Sequence, residues 1–208
     1  ISQIAVHAPI ALESYLEEQQ LTFSARNHEL DNNDNFSPDG RYLCYDTRET
    51  VGPGIDHGQT IEVLDLSAGD EIVVYEPASI LTGATPAPGV GAVSFSHAAL
   101  ELAFIHGPPV EEVAARGPYA QLNRCGGHVA LDGVVVERDG RLRMLRDGAY
   151  AFSWLDKRDI ATDRATAPGA HRGGTHRHEY ARNSARIGFT YNDHLLPEYD
   201  RTCLLYTS

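Results

Sequence analysis

The sequence predicts an all-β protein and, more narrowly, an incomplete β-propeller of four-stranded blades. Three observations carry that expectation: a ten-residue pattern that occurs three times, tight-turn residues between apolar runs, and hairpin signals that follow the pattern. Propellers repeat a four-stranded unit about an axis, so self-similarity interrupted by inserted loops is their sequence signature. A β-sandwich with coincidental turns is the alternative architecture.

The pattern comes first. Phe36-Ser37-Pro38-Asp39-Gly40-Arg41-Tyr42-Leu43-Cys44-Tyr45 aligns without gaps with Phe95-Ser96-His97-Ala98-Ala99-Leu100-Glu101-Leu102-Ala103-Phe104, and a third copy occupies 180–189. Each copy joins an aromatic residue to a short polar turn and an apolar strand that a second aromatic closes. In Ser-Pro-Asp-Gly the proline presets one turn dihedral and the glycine takes the positive one. After the first copy, two strand-like runs at 60–66 and 71–75 flank Ser67-Ala68-Gly69-Asp70, which predicts a second hairpin. After the second copy the equivalents are weaker: 128–131, 134–137, a turn at Asp139-Gly140, then 141–145.

The copies are spaced more widely than a minimal blade requires, so 82–89 and 108–118 read as insertions. The expected organisation is a leading segment at 1–19, a first blade at 20–90, a second at 91–160 with insertions, and the start of a third at 161–202. Within the first part, 11–20 reads as a helix turn or the end of a missing blade. The final six residues, 203–208, read as a translated library adapter and stay outside the fold argument. Together with an opening Ile1, they predict a fragment of a longer protein.

Composition narrows the function classes. With 208 residues, 42% of them apolar, the chain has the makings of a packed core. No apolar run reaches the length of a membrane helix, so no membrane span is expected. The net charge of -12 excludes a broad phosphate-neutralising surface, so nucleic acid is not an expected partner. The excess is uneven: residues 1–100 carry 15 acids against 3 arginines, and Lys157 is the only lysine in the chain. Such Arg-, Ala- and Gly-rich usage suggests a bacterial origin. Cys44 lies in an apolar run and Cys125 precedes Gly126-Gly127, too little for a disulfide framework. The compartment is left open by the sequence, with the absence of a visible signal segment and the low cysteine count leaning towards the cytoplasm.

Several segments carry a resemblance. Gln20-Leu21-Thr22 leading into Asn35-Phe36-Ser37-Pro38-Asp39-Gly40 resembles the repeat of TolB-type propellers. Arg26-Asn27-His28, Phe104-Ile105-His106-Gly107-Pro108, His171-Arg172-Gly173-Gly174-Thr175-His176-Arg177-His178 and Phe189-Thr190-Tyr191-Asn192-Asp193-His194 resemble a bacterial family of TolB-like propellers of unassigned function. The chain is also distantly similar to oligogalacturonate lyases, propellers whose metal is held partly by a His-x-His pair before a repeat turn. The glutamine that those lyases place shortly before the pair corresponds here to Gly173-Gly174-Thr175. The resemblance implies a binding propeller that offers its channel mouth to a small anionic ligand, an acidic oligosaccharide or a protein partner. Its alternative implication is a metal-dependent lyase acting on an acidic sugar, in which the ion binds a uronate carboxylate and stabilises an enolate.

The site residues follow from the third copy. His176 and His178 precede Tyr180 by four and two positions, so strand alternation places both imidazoles on one face near the channel. Two such rings are candidate ligands for manganese or zinc, with a carboxylate or water completing the shell. The same offsets in the first copy give Asn32 and Asp34, which adds Asp34 to the candidate ligands. A hydrogen-bonded histidine pair beside buried water is the other reading. Between Arg164 and Tyr191 stand five arginines against one acid, Glu179, which favours an anionic ligand. Arg172 in the preceding loop is the stronger ligand candidate and Arg177 the weaker, since alternation turns it away; a solvated loop is the plainer reading of both. His28 and His106 complete the ligand candidates, although a histidine before Gly-Pro also suits a bond to a backbone carbonyl. Asp193 and His194 read as a polar loop. No nucleophile elbow, phosphate loop or dinucleotide fingerprint is present.

Overall fold

The computed structural model describes residues 18–30, 32–48, 54–161 and 164–192. The expected leading segment up to 17, the Asp193-His194 loop and the 203–208 tail lie outside the described residues. The rest is all-β: β1 (Tyr42–Asp46), β2 (Ile61–Asp65), β3 (Asp70–Tyr75), β4 (Val90–Phe95), β5 (Glu101–His106), β6 (Cys125–Ala130), β7 (Val134–Arg138), β8 (Arg141–Leu145), β9 (Phe152–Trp154), β10 (Gly174–Tyr180) and β11 (Ile187–Asn192). A single helical turn, α1 (Val113–Arg116), is the one α-helix among the described residues. None of the helices there is long and apolar enough to cross a membrane.

The three sequence copies fold alike. In the first, Ser37 N–H donates to Tyr42 O at 2.9 Å, Gly40 sits at φ 70, and Asp39 Oδ1 accepts the Arg41 N–H. In the third, Ala181 N–H donates to Arg186 O at 2.8 Å, Ser184 sits at φ 54, and Asn183 Oδ1 accepts the Ala185 N–H. The second repeats the closing bond, Ser96 N–H to Glu101 O at 2.8 Å. A side-chain acceptor that fastens the chain two residues on lets Asp, Asn or Ser nucleate the same turn. The strands before the turns share a second feature. β4 bulges between Gly91 and Ser94 with Ala92 at φ 53, and β10 bulges between His176 and Glu179 with Arg177 at φ 56. Ala92 and Arg177 occupy the same place, three residues before Phe95 and Tyr180.

These leading segments lie side by side. Asn32 Nδ2 donates to Ala92 O at 2.7 Å and Phe95 N–H to Asp34 O at 2.7 Å; β4 joins β10 through Ser94 Oγ, which donates to His178 O at 2.9 Å. The sheets run β1-β2-β3-β8-β7, β4-β5-β6-β9 and β10-β11, and all three are open, with no closed ring among the described residues.

Two pairings differ from the four-stranded expectation. The strand before the first turn is reduced to isolated bridges, Glu29 with Asp46 and Phe36 with Leu43. The β7–β8 hairpin, expected beside β6, instead joins the first sheet, where β8 runs parallel to β3 with Ile72 opposite Leu142. Its ion pairs explain the move: Arg141 reaches the buried carboxylate of Glu62 on β2, and Arg143 reaches Glu76. Arg26 already pairs with Glu62 Oε2, and Arg141 of the hairpin fills Oε1, so the hairpin adds the second cation to a buried carboxylate of the first sheet. β9 then takes the vacated place against β6, pairing His128 with Ser153. One core joins the first two sheets, from Tyr42, Ile61 and Ile72 to Phe95, Phe104, Val129 and Met144.

Candidate functional site: a carboxylate between two cavities

β6 carries glycine at two successive positions, and both faces use the space. A Cβ on Gly126 would lie 2.8 Å from the His178 ring and 2.9 Å from Leu155 Cβ; one on Gly127 would lie 2.6 Å from the Phe104 ring. Gly126 therefore admits an imidazole from β10 onto β6. Past β9, the chain turns through Leu155, whose N–H donates to Gly126 O, and delivers Asp156 beneath that imidazole.

Asp156 is the centre of the cluster. Its Oδ2 accepts the Gly126 N–H at 2.9 Å and the Thr175 hydroxyl at 2.7 Å, and lies 3.3 Å from His171 Nε2 and 4.0 Å from His178 Nε2. Burial works to raise the Asp156 pKa, but the hydrogen bonds from His171, Thr175 and Gly126 outweigh it and hold the carboxyl below its ordinary value. Thr175 spends its proton on Asp156, so the 2.9 Å contact between Thr175 Oγ1 and His178 Nε2 requires Nε2 to donate. That fixes the His178 tautomer and leaves Nδ1 as a lone pair. Burial also pushes the His178 pKa down to about 4, which keeps the ring neutral near neutral pH. His171 Nδ1 donates to Gly173 O at 2.8 Å, so its Nε2 meets the carboxylate as a donor only when the ring carries both protons.

Asp156 borders two cavities. One, of about 380 Å³, is lined by Arg116, Cys125, Trp154, Lys157 and Arg158; the other, of about 300 Å³, by His178, Tyr180, Arg186, Ile187 and Phe189. In the first, Arg116 pairs with Glu112 at 2.5 Å and also reaches Cys125 Sγ at 3.4 Å. Arg158 donates to the carbonyls of Leu122 and Arg124. Burial raises the Cys125 pKa despite the two guanidinium groups.

The residues expected from the sequence are dispersed. His178 belongs to the cluster, but the bulge at Arg177 interrupts the alternation, and His176 lines a different cavity with Gln121, Arg124 and Thr190. Asp34 lies 3.6 Å from His97 instead of near either ring. Among the described residues, no group of three or more His, Cys, Asp or Glu side chains is arranged to hold a metal ion. Arg172 is buried and donates to Arg164 O, whereas Arg177 is exposed on the bulge. His28 packs on Tyr45 at 4.6 Å with Nε2 3.6 Å from Glu71, inside the ion network of the first sheet. His106 is buried: Nδ1 donates to Gly107 O at 2.6 Å, the carbonyl bond that the Gly-Pro context suggested, and Nε2 accepts the Tyr75 hydroxyl at 2.8 Å. Burial pushes its pKa down to about 4.

Asp156, His171 and Thr175 were not singled out by sequence reasoning. The spacing of His171, Thr175 and His178 around a glycine pair was the one available signal.

Fold and site together define an all-β protein of repeated antiparallel units, with a buried polar cluster where the second and third meet. The chain belongs to the family described as "Protein of unknown function (DUF3748)", whose model matches residues 89–205. It is 33% identical over 182 residues to "Uncharacterized protein YidR" of Escherichia coli (strain K12), covering 88% of this chain and 36% of that one. The chain thus spans little more than a third of its relative's length. No solved structure matches.

Proposed function

We propose that this chain is part of a TolB-like propeller acting as a binding module, and that it takes a small anionic ligand in the cavity of Arg116, Lys157 and Arg158. The charge balance of that cavity carries the ligand class. Glu112 is engaged by Arg116, and Asp156 by Gly126, Thr175 and His171. Among the described residues neither Lys157 nor Arg158 pairs with a carboxylate, so a positive surplus stands in a chain of net charge -12. Both guanidinium groups are fastened to the fold, Arg116 by Glu112 and Arg158 by backbone carbonyls, so they contribute fixed positive charge while Lys157 supplies the direct contact, and Trp154, 44% exposed, offers an apolar wall beside it.

The repeated turn, the repeated bulge and the adjacent leading segments support radially packed blades. The TolB-type reading rests on those residues and that geometry, since the family and relative reported above carry no such name. A metal-dependent lyase draws no support from the placement of His176 and His178 in different cavities.

Calorimetry with galacturonate, and with glucose as the uncharged control, tests the ligand class. Galacturonate is expected to bind and glucose not, with Lys157→Ala weakening the former about tenfold, the size of one charge-assisted contact. Equal heats for both sugars, or unchanged affinity in the variant, would contradict the reading. An experimental structure of the Escherichia coli relative tests the architecture: a ring of blades supports it and a two-sheet sandwich refutes it.

A further inference from the structure

A smaller cavity, of about 190 Å³, shares Trp154 and no other lining residue with the anion cavity. Its walls are four rings, Tyr75, His106, Phe152 and Trp154, together with three prolines and one carboxylate, Glu111. The rings brace one another. Tyr75 stacks on Phe152 at 4.6 Å, and Trp154 meets His106 at 4.7 Å and Phe152 at 5.0 Å, both nearly at right angles. His106 and Phe152 stand only 5.6 Å apart, so they crowd the same part of the indole. The rest of the Trp154 surface is open, and the residue is 44% exposed.

The charge of this cavity is one-sided. His106 adds none, because its Nε2 accepts the Tyr75 hydroxyl and burial pushes its pKa down to about 4. The neighbouring Glu112 is engaged by Arg116 at 2.5 Å. Glu111 is exposed and forms no ion pair among the described residues. Burial first, and then the Glu111 charge, raise the pKa of Tyr75, which places that carboxylate beside the rings. A lone carboxylate next to aromatic faces attracts a cation, and the walls select its kind. Prolines and rings offer few acceptors for the N–H groups of a primary ammonium, whereas a methylated ammonium has no N–H to satisfy and lies directly on an aromatic face.

We propose that this cavity binds a small, free quaternary ammonium compound of the choline type, its methylated head against Trp154 and its charge balanced by Glu111. The site goes beyond the anion reading and rests on other residues, Trp154 excepted, so either proposal can fail without the other.

The test is calorimetry of the protein with choline, with dimethylbutanol, which keeps the shape and lacks the charge, and with ethanolamine, which keeps the charge and lacks the methyl groups. Choline is expected to bind at least about tenfold more tightly than either analogue. Glu111→Gln alters an exposed side chain without an ion pair, so the variant keeps the fold. It is expected to weaken choline about tenfold while galacturonate binding stays at the parent level. Trp154→Leu keeps an apolar side chain, removes the indole face and is expected to weaken choline by a similar factor. No heat from choline, equal affinity for choline and either analogue, or parental choline affinity in either variant would overturn the assignment. Phosphatidylcholine vesicles carry the same cation on a lipid: protein left in the supernatant after their sedimentation supports a free ligand, and protein in the pellet overturns it. Loss of galacturonate binding in Lys157→Ala with choline binding retained would support the separation of the two sites.

Discussion

Glu62 in the first sheet and Asp156 beside the third unit are both buried carboxylates, yet they are completed differently. Glu62 Oε1 accepts Thr60 at 2.7 Å and Arg141, and Oε2 accepts Arg26 at 3.1 Å and Tyr45 at 3.2 Å. Asp46 is equally full: Arg48 Nε reaches Oδ1 at 2.7 Å, and Oδ2 accepts Arg48 Nη2 at 2.5 Å and the Ala92 N–H at 2.8 Å. At Asp156 all the bonds fall on Oδ2, while Oδ1 has no partner. A buried acceptor that evolution satisfies holds a fold together, and one left open is kept at a cost to stability. In the first sheet both oxygens of each of these carboxylates are filled and the unpartnered buried atoms are nitrogens of Arg26, His28, Arg141 and Arg143; beside the third unit it is a carboxylate oxygen that stays without a partner.

The largest expected effect tests the framework. Asp46→Asn takes the charge from the carboxyl that Arg48, whose side chain is fully buried, meets at 2.5 Å, and should cost about 3 kcal/mol or more in denaturant unfolding. A loss below about 1 kcal/mol would show that the pair is a surface-like contact instead of a structural one.

Acidification tests two buried histidines at once, one on β5 and one on β10. The His178 and His106 pKa values fall from 6.5 to about 4 on folding, so the unfolded chain binds protons that the native rings refuse. Stability is therefore complete above pH 6.5 and declines as pH drops towards about 4, by an amount on the order of 3 kcal/mol for each ring. Urea midpoints across that window measure the slope, and His178→Gln should remove about half of it. A flat profile in the parent would mean that neither ring is held neutral.

A smaller effect concerns the seat of the imidazole. Gly126→Ala puts a Cβ 2.8 Å from the His178 ring, an overpacking expected to cost about 1–3 kcal/mol and to displace the ring from Thr175. An unchanged midpoint would show that β6 yields freely, and that the space above Gly126 is not what positions the ring.

What was legible in the sequence follows from how local each signal is. The Ser37-Pro38-Asp39-Gly40 turn and the hairpin of β2 and β3 were read directly, because glycine at positive φ and alternating strands are short-range features. The destination of the β7–β8 hairpin was not, since it depends on Arg141 meeting a carboxylate that lies far away in the chain. Within the site, His178 was found and its partners were missed. Arg177 gives no glycine-like sign that β10 bulges, so alternation placed His176 and His178 on one face. Asp156 owes its place to β9, a three-residue strand with no repeat signature of its own.

The contrast between a partnered and an unpartnered buried oxygen can be measured in a matched pair of hydroxyl deletions. Tyr45 donates its hydroxyl to Glu62 at 3.2 Å, whereas the Tyr180 hydroxyl is buried without a partner. Unfolding free energies of Tyr45→Phe and Tyr180→Phe in ligand-free protein should therefore differ in sign. Tyr45→Phe is expected to lose about 1–2 kcal/mol, and Tyr180→Phe to be neutral or to gain about 1 kcal/mol. If Tyr180→Phe destabilises the protein as much as Tyr45→Phe does, its hydroxyl is already satisfied within the fold, and the contrast between the filled and the unfilled oxygens is wrong.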